Sequence, residues 1–438
     1  MNNKIFICGI TANNYNLFLS LEKYLSDNGM ECTFVEPEIT GRAKLIDNNI
    51  RYHKFSPSRC KVAPYINSII RYEILKLELE TNIYAKIKKR LIKKRSSYLL
   101  CGYDKLFKDS PDSLVIVWGG YDLNTAIPAY IAKKNNNLII FVEKGSFSKT
   151  LQVSTEGVNY SNSALKKLST LQSSKSKDLL FFKDIISQKW VHKNPNKSIS
   201  LKAKIKAYLQ QKYFINSILL KLVDIYYLKV IKRNNDNAIW NLTGNEEYSD
   251  IKLPDRYIFF PLQVKDDSQL LINSNWPLNT KDTLVIISKI ISEIDSEIKI
   301  VVKEHPSEFR KIDYSSFSKI DNILFSKSST IRLITNSIFV ITFNSTVGIE
   351  AVVQGKPVLT LGYAFYENLE CVFHVNEYSE IKDAILHLIN YNSSNNKVEP
   401  LDFLNNLWEE LVKIDFTNPT DEESKRLWLK IINKLGYS

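Results

Sequence analysis

Short runs of Ile, Val, Leu and Phe alternate with stretches of helical periodicity along both halves of the chain. Residues 4–8 form an apolar run ended by Gly9, residues 15–28 repeat apolar positions at helical spacing, and residues 31–35 turn apolar again. This pattern predicts a β-α-β opening. It continues through a strand over 113–118 closed by Gly119 and Gly120, a helix over 125–135 and a strand over 138–142. Between about 161 and 245 the pattern changes to polar Ser/Lys-rich stretches and basic amphipathic helices with no predicted strand. A second α/β run starts at 257–261. It continues through a helix over 283–294, strands over 298–303 and 338–343, a helix over 346–354 and a strand over 357–361. Beyond Pro400 the chain reads as helical, with Phe403, Leu404, Leu407, Leu411 and Val412 on one face.

Alternating strands and crossover helices imply parallel sheets. The predicted class is α/β, with two Rossmann-like domains facing each other across a cleft, inserted basic helices and a helical C-terminal tail. The expected divisions are a first Rossmann-like domain over 1–165, a helical basic insertion or linker over 166–250, a second Rossmann-like domain over 251–395 and C-terminal helices over 396–438. Length agrees, because 438 residues exceed what one hydrophobic core usually covers. At 44% hydrophobic and 24% charged residues, disordered and fibrous classes are excluded.

Charge adds a candidate partner. The net charge of +12 is concentrated in residues 86–95 and between Lys202 and Arg233. Ile83, Ile87 and Leu91, and then Tyr208, Ile215, Leu219, Leu222 and Tyr226, recur at helical spacing among these basic residues. A solvated helix face explains a charge run equally well. An apolar stripe flanked by basic residues suits an anionic membrane surface. Nucleic acid is not expected as a partner, because no binding motif accompanies the charge. The opening run is too short for a signal peptide and no later run approaches a membrane span. The five cysteines, Cys8, Cys32, Cys60, Cys101 and Cys371, show no metal or redox spacing and read as reduced thiols. The expected location is cytoplasmic, peripheral on the inner face of the cytoplasmic membrane where the charge is used.

Chemistry concentrates at predicted strand ends. The run ending at Phe343 passes into Asn344, Ser345 and Thr346 and then a helix, so backbone N–H groups and the two hydroxyls are candidates to hold a phosphate. Gly348 offers close approach to the first turn, and Glu350, one turn in, reaches toward ribose hydroxyls. An ordinary helix cap would have the same residues. A second strand end carries Lys303, Glu304 and His305, whose imidazole can donate to a phosphate oxygen of a departing nucleotide. In the first half Glu143 ends a strand and is a candidate general base, or a surface carboxylate paired with Lys144; Asn159 lies downstream. Gln263, Asp266 and Asp267 follow the 257–261 strand, and adjacent acids there can supply a second carboxylate for glycosyl transfer. No DxD element sits at a predicted strand end, and no GxGxxG or GxxxxGK[ST] loop occurs, so neither a metal nor a nicotinamide or kinase-type cofactor is called for.

These segments, in order, resemble the bacterial capsule-type retaining β-Kdo glycosyltransferases. The resemblance rests on Pro261-Leu262-Gln263-Val264-Lys265-Asp266-Asp267, on Lys303-Glu304-His305-Pro306, and on Asn344 to Glu350 with Gly355-Lys356-Pro357-Val358 and Gly362-Tyr363-Ala364-Phe365-Tyr366. Phe141-Val142-Glu143-Lys144-Gly145 with Gly157-Val158-Asn159 completes it. It implies a GT-B-like fold, CMP-β-Kdo as donor to the second domain, a glycolipid or saccharide acceptor on the first, and transfer with retention in capsule or lipopolysaccharide synthesis. By position, Asp267 matches the nucleophile, Glu143 the acid/base, and His305, Ser345 and Thr346 the CMP-phosphate contacts. The chain departs from the pattern at Lys144, where some relatives carry Asp, and at 146–149, where an Arg is expected. The alternatives are a transferase for sialic or another ulosonic acid, a UDP-sugar GT-B enzyme or nucleotide-sugar epimerase, and a non-catalytic scaffold of polysaccharide assembly.

Overall fold

The computed structural model describes residues 4–55, 66–78, 83–174, 177–188, 199–210, 252–276, 279–305, 317, 319–391 and 399–437. The chain divides into two compact units, the first comprising Met1–Asn162, Lys189–Ile225 and Glu410–Ser438, the second Ser163–Gln188 and Tyr226–Glu409. Two of the expected segments are therefore shared out. Part of the 166–250 stretch belongs with the second unit, and the C-terminal tail divides at Glu410.

The first unit opens with β1 (Ile5–Cys8), β2 (Cys32–Val35), β3 (Leu114–Trp118), β4 (Leu138–Lys144) and β5 (Thr150–Ser154). The second holds β6 (Tyr257–Pro261), β7 (Lys299–Lys303), β8 (Ile323–Phe325), β9 (Val340–Thr342), β10 (Val358–Thr360) and β11 (Val372–His374). The last strand, β12 (Val412–Lys413), returns to the first sheet and pairs antiparallel with β5. Val412, expected on a helix, is thus in a strand.

In the first sheet the order is β12-β5-β4-β3-β1-β2, with β1 to β4 parallel and β5 antiparallel to β4. Phe6, Cys8, Val115, Val117 and Phe141 pack into one core cluster, and Ile5, Ile7, Leu114, Ile116, Ile140 and Val142 into another. Period-two alternation between two buried faces explains why these strands read as unbroken apolar runs. The C-terminal helix Asp421–Lys434 covers the second cluster with Leu427, Trp428 and Ile431.

The second sheet is parallel throughout, in the order β11-β10-β9-β6-β7-β8. Counted from its own first strand this is 3-2-1-4-5-6, the doubly wound order in which ligands bind beyond the strand ends where the winding reverses. That point lies between β6 and β9. The helix Thr280–Ile294 is capped by Asn279, whose carboxamide accepts from the N–H groups of Lys281 and Asp282, and it buries Leu284, Ile287 and Ile291 against this sheet. Each such side chain contributes about 1.5–3 kcal/mol.

The basic block at 86–95 lies within one helix, Ile83–Lys108. Of the second block, the helix Leu201–Leu209 is described; Ile215, Leu219, Leu222 and Tyr226, and the side chains of Ile83, Ile87 and Tyr208, lie outside the described residues. Cys8, Cys32 and Cys371 are free thiols, but Cys101 is disulfide-bonded, which corrects the reading of all five as reduced.

Candidate functional site

Most of the candidate residues fall at the switch point of the second sheet. Beyond β6, Gln263 is buried, and beyond β9 so is Asn344. The two carboxamides bridge the strand ends. Gln263 Nε2 donates to Asn344 Oδ1 at 3.1 Å, and the Asn344 backbone N–H donates to Gln263 Oε1 at 3.2 Å. Asn344 Nδ2 donates onward to the carbonyls of Gln269, at 2.8 Å, and Asn273, at 3.2 Å. Asn344 therefore spends its whole amide on holding the loop after β6 against the end of β9. Sequence reasoning placed Asn344 among the nucleotide contacts and Gln263 among the cleft candidates; in the structure their side chains hold each other and the loop after β6.

Asp267 is what this bracket positions. Its backbone N–H closes a turn onto the Val264 carbonyl at 2.9 Å, and its Oδ1 accepts from the Gln269 N–H at 2.8 Å, capping the short helix Ser268–Ile272. Burial raises its carboxyl above the ordinary range and the nearby Asp266 charge adds to that; the Gln269 N–H, the Gln263 side chain and the charge of His305 all act in the opposite direction. His305 is exposed at the edge beyond β7. The structure thus brings Asp267, Gln263, Asp266 and His305 to one locality.

The helix Val347–Val353 starts beside them. Its first N–H groups are mostly used internally: Val347 donates to Ser345 Oγ at 3.3 Å, Gly348 to the Ser345 carbonyl at 3.0 Å, and Ile349 and Glu350 to the Thr346 carbonyl at 2.9 and 3.2 Å. The expected cradle of open backbone donors is accordingly reduced, and the half-buried Ser345 and exposed Thr346 hydroxyls become the stronger phosphate candidates. Gly348 also has another explanation. A Cβ there would lie 2.2 Å from the Tyr366 hydroxyl oxygen, and that hydroxyl donates to the Ser345 carbonyl. The Gly362-to-Tyr366 segment thereby props the helix start from behind. Gly348→Ala is expected to destabilise the protein by about 1–3 kcal/mol through overpacking against this buried phenol. Thermal unfolding measures it, and an unchanged midpoint would show that Tyr366 does not depend on the missing Cβ.

Lys303 Nζ donates to the Ser328 carbonyl at 2.8 Å and Thr330 Oγ1 at 3.1 Å, so it braces the loop after β8. Its charge also acts on Glu350, whose carboxyl burial pushes up to about 7. Glu350 is thus more readily protonated than an ordinary glutamate; its carboxylate can accept from a hydroxyl and its protonated form can donate to one.

In the first unit Glu143 sits near the end of β4, its Oε1 accepting from the Lys144 N–H at 2.9 Å. Gly119, at φ +69°, leaves room for it, since a Cβ would approach Glu143 Oε2 to 2.9 Å. Lys144 Nζ lies over the Phe416 ring, 5.4 Å from its centroid. Gln152, paired with Glu143 in register, was missed by sequence reasoning. Its Nε2 donates to Asn159 Oδ1 at 2.8 Å and the Lys144 carbonyl at 3.0 Å, and its Oε1 accepts from the Asn159 N–H at 2.8 Å, which holds Asn159 at φ +55°. A polar residue inside the alternating strand 150–154 was the available signal. A cavity of about 260 Å3 opens alongside, walled by Gly119, Gly120, Tyr121, Lys133, Phe141 and Gly157. Where an Arg was expected, Lys149 pairs with Asp415 at 3.2 Å, so this loop serves docking of the C-terminal segment. Among the described residues no group of three or more His, Cys, Asp or Glu could hold a metal ion.

Comparison with known proteins adds a family to this geometry. The model of the family described as capsule polysaccharide biosynthesis protein matches residues 113–369, more than half of the 438 and a span containing every candidate residue in both units. Protein FixF of Sinorhizobium fredii is 30% identical over 192 residues, covering 43% of this chain and 46% of FixF. The capsule polysaccharide modification protein LipB of Neisseria meningitidis is 27% identical over 122 residues, 26% of this chain and 29% of LipB. The chain thus spans less than half the length of either relative. Among solved structures, the β-Kdo 2,7 transferase of KpsC from Thermosulfurimonas dismutans matches with a TM-score of 0.37 at 13% identity, over 81% of this chain and 97% of that one.

Proposed function

The chain belongs to the capsule polysaccharide biosynthesis protein family, and from that premise we propose that it is a retaining glycosyltransferase using CMP-β-Kdo as donor and a glycolipid or saccharide as acceptor. The observation that carries this reading is the fixing of Asp267 by Gln263 and the Gln269 N–H beside His305, at the strand ends where the second sheet reverses its winding.

In the proposed first step an Asp267 carboxylate oxygen attacks the anomeric carbon of Kdo. The bond from that carbon to the CMP phosphate oxygen breaks, and its electron pair leaves with CMP. His305 and the hydroxyls of Ser345 and Thr346 stabilise the charge on that phosphate, and this reading calls for no metal ion. In the second step the acceptor hydroxyl attacks the same carbon, Glu143 takes its proton, and the Asp267 carboxylate is released. Two inversions restore the configuration. Glu350 reads as the ribose contact.

Donor choice is the discriminating test against a UDP-sugar enzyme, an epimerase or a scaffold. CMP at a hundredfold its dissociation constant is expected to stabilise the protein by about 2.7 kcal/mol in thermal unfolding, with UDP giving no comparable shift. Stabilisation by UDP in place of CMP would reject the donor, and no shift with either nucleotide would favour the scaffold. A transferase for another CMP-linked ulosonic acid shares this chemistry and is separated by assaying CMP-Kdo against CMP-sialic acid.

A further inference from the structure

We propose that the helix Leu201–Leu209 is a docking element for an anionic lipid surface. Among the described residues nine large hydrophobic side chains are exposed, and three of them, Leu201, Ile205 and Leu209, lie on this one nine-residue helix. Their relative exposures are 73%, 51% and 60%. Isolated exposed leucines need no explanation, but three at i, i+4 and i+8 form a continuous stripe.

The stripe is held facing outward. At about 100° per residue, Ala203 and Ala207 lie roughly opposite its centre. Both are buried, in a small cluster with Ala12, Ala43 and Ile199. The helix start is fixed by Ser200, whose hydroxyl and backbone N–H donate to Asp47 at 2.6 and 3.1 Å. Its end is fixed at Gln210, whose carbonyl accepts from Arg42 Nη1 at 3.2 Å and whose side-chain oxygen accepts from the Tyr52 hydroxyl at 2.6 Å. The helix cannot turn its leucines inward without breaking these contacts.

Charge says what covers the stripe. Lys202 and Lys206 fall on one flank and Lys204 on the other, and residues 201–210 contain no acidic side chain. Apolar side chains bordered on both sides by lysine match the boundary between acyl chains and anionic headgroups. The net charge of +12 acts in the same sense. A neutral protein partner would have no use for three lysines around the contact. This docking is independent of the donor and of the transfer mechanism.

The test is sedimentation of the full chain with vesicles of phosphatidylcholine alone or with phosphatidylglycerol, at low and high salt. Binding is expected to the anionic vesicles, weaker at high salt, and absent from the neutral ones. The triple variant Leu201→Ser/Ile205→Ser/Leu209→Ser keeps the net charge and is expected to bind at least about tenfold less. Lys202→Glu/Lys206→Glu is expected to lose binding as well. Both variants should unfold at the parent temperature, because no substituted side chain is buried. Undiminished vesicle binding by the triple variant would overturn the proposal. So would a parent protein that dimerises without lipid and a triple variant that is monomeric, since the stripe would then be a contact between copies of this chain.

Discussion

Asp267→Asn is expected to lower transfer from CMP-β-Kdo by about three to four orders of magnitude while leaving fold and CMP affinity intact. The choice of asparagine matters. Asp267 caps the helix Ser268–Ile272 through Oδ1, and asparagine caps about as well as aspartate, so the bond from the Gln269 N–H survives. What is lost is the nucleophilic oxygen. Asp267→Ala would confound loss of chemistry with loss of the cap, at about 1 kcal/mol. Turnover of Asp267→Asn near the parent rate would remove Asp267 from the mechanism. The pH dependence has a definite sign. The carboxylate attacks only when ionised, and burial raises its carboxyl above the ordinary value. The rate should therefore fall with acidity at a higher pH than an unperturbed aspartate, with its ordinary pKa of about 3.9, would give. An acidic limb at or below the ordinary carboxylate range would mean that the group in control is another.

The second large effect is structural. Asn344→Ala removes one acceptor and two donated hydrogen bonds at once, leaving the Gln263 amide and the carbonyls of Gln269 and Asn273 without that partner. The two carbonyls keep backbone donors, the N–H groups of Asn273 and Tyr363, and the Gln263 side chain keeps Asp267. The cost is therefore that of three lost hydrogen bonds at about 0.5–1.5 kcal/mol each, and a loss of about 2–4 kcal/mol is expected in denaturant unfolding. That is a large share of the 5–15 kcal/mol typical of a folded protein. Because the same bracket holds Asp267, CMP-sugar turnover should fall with stability even under conditions where the variant is folded. Gln263→Ala should be strongly non-additive with it, since the two share one network. A stability loss under about 1 kcal/mol, or additive effects in the double variant, would show that the bracket is not the support of this loop.

The parallel strands were legible because they are buried on both faces. β1, β3, β4, β6 and β7 are runs of four to seven residues whose apolar side chains are buried on both faces of the sheet, and such runs stand out in any window. β9 and β10 have only three residues each but all are buried, whereas β8 and β11, equally short, bury one residue each and β12 has only two residues, so these give no such run. β5 is concealed differently: all five of its residues are buried, yet Thr150, Gln152 and Ser154 alternate as polar, because their hydrogen bonds are made within the protein. The return of the chain from Glu410 to the first unit depends on a pairing about 260 residues away in sequence, between Val412 and Leu151, which no local periodicity encodes.

At the candidate site the strand-end placement of His305, Asp267, Ser345 and Glu143 could be read from an apolar run ending in polar residues. Their division of labour could not. Asn344 and Ser345 are adjacent polar residues in sequence, but the side chain of one is buried in a three-way amide network while the hydroxyl of the other is half-buried at the helix start. Gly348 looked like room for a ligand, and the room is taken by Tyr366 from a segment eighteen residues on. Such roles depend on which carbonyl or ring arrives from elsewhere in the fold, and this is fixed by packing, not by spacing.

Peptide-level mass spectrometry after incubation of Glu143→Gln with CMP-β-Kdo and no acceptor bears on the mechanism, because slowing the second step should let the sugar-enzyme ester accumulate. The predicted result is a gain of one Kdo residue on the peptide that contains Asp267, formed together with released CMP. Release of CMP with unmodified protein, or the sugar on a different residue, would contradict it.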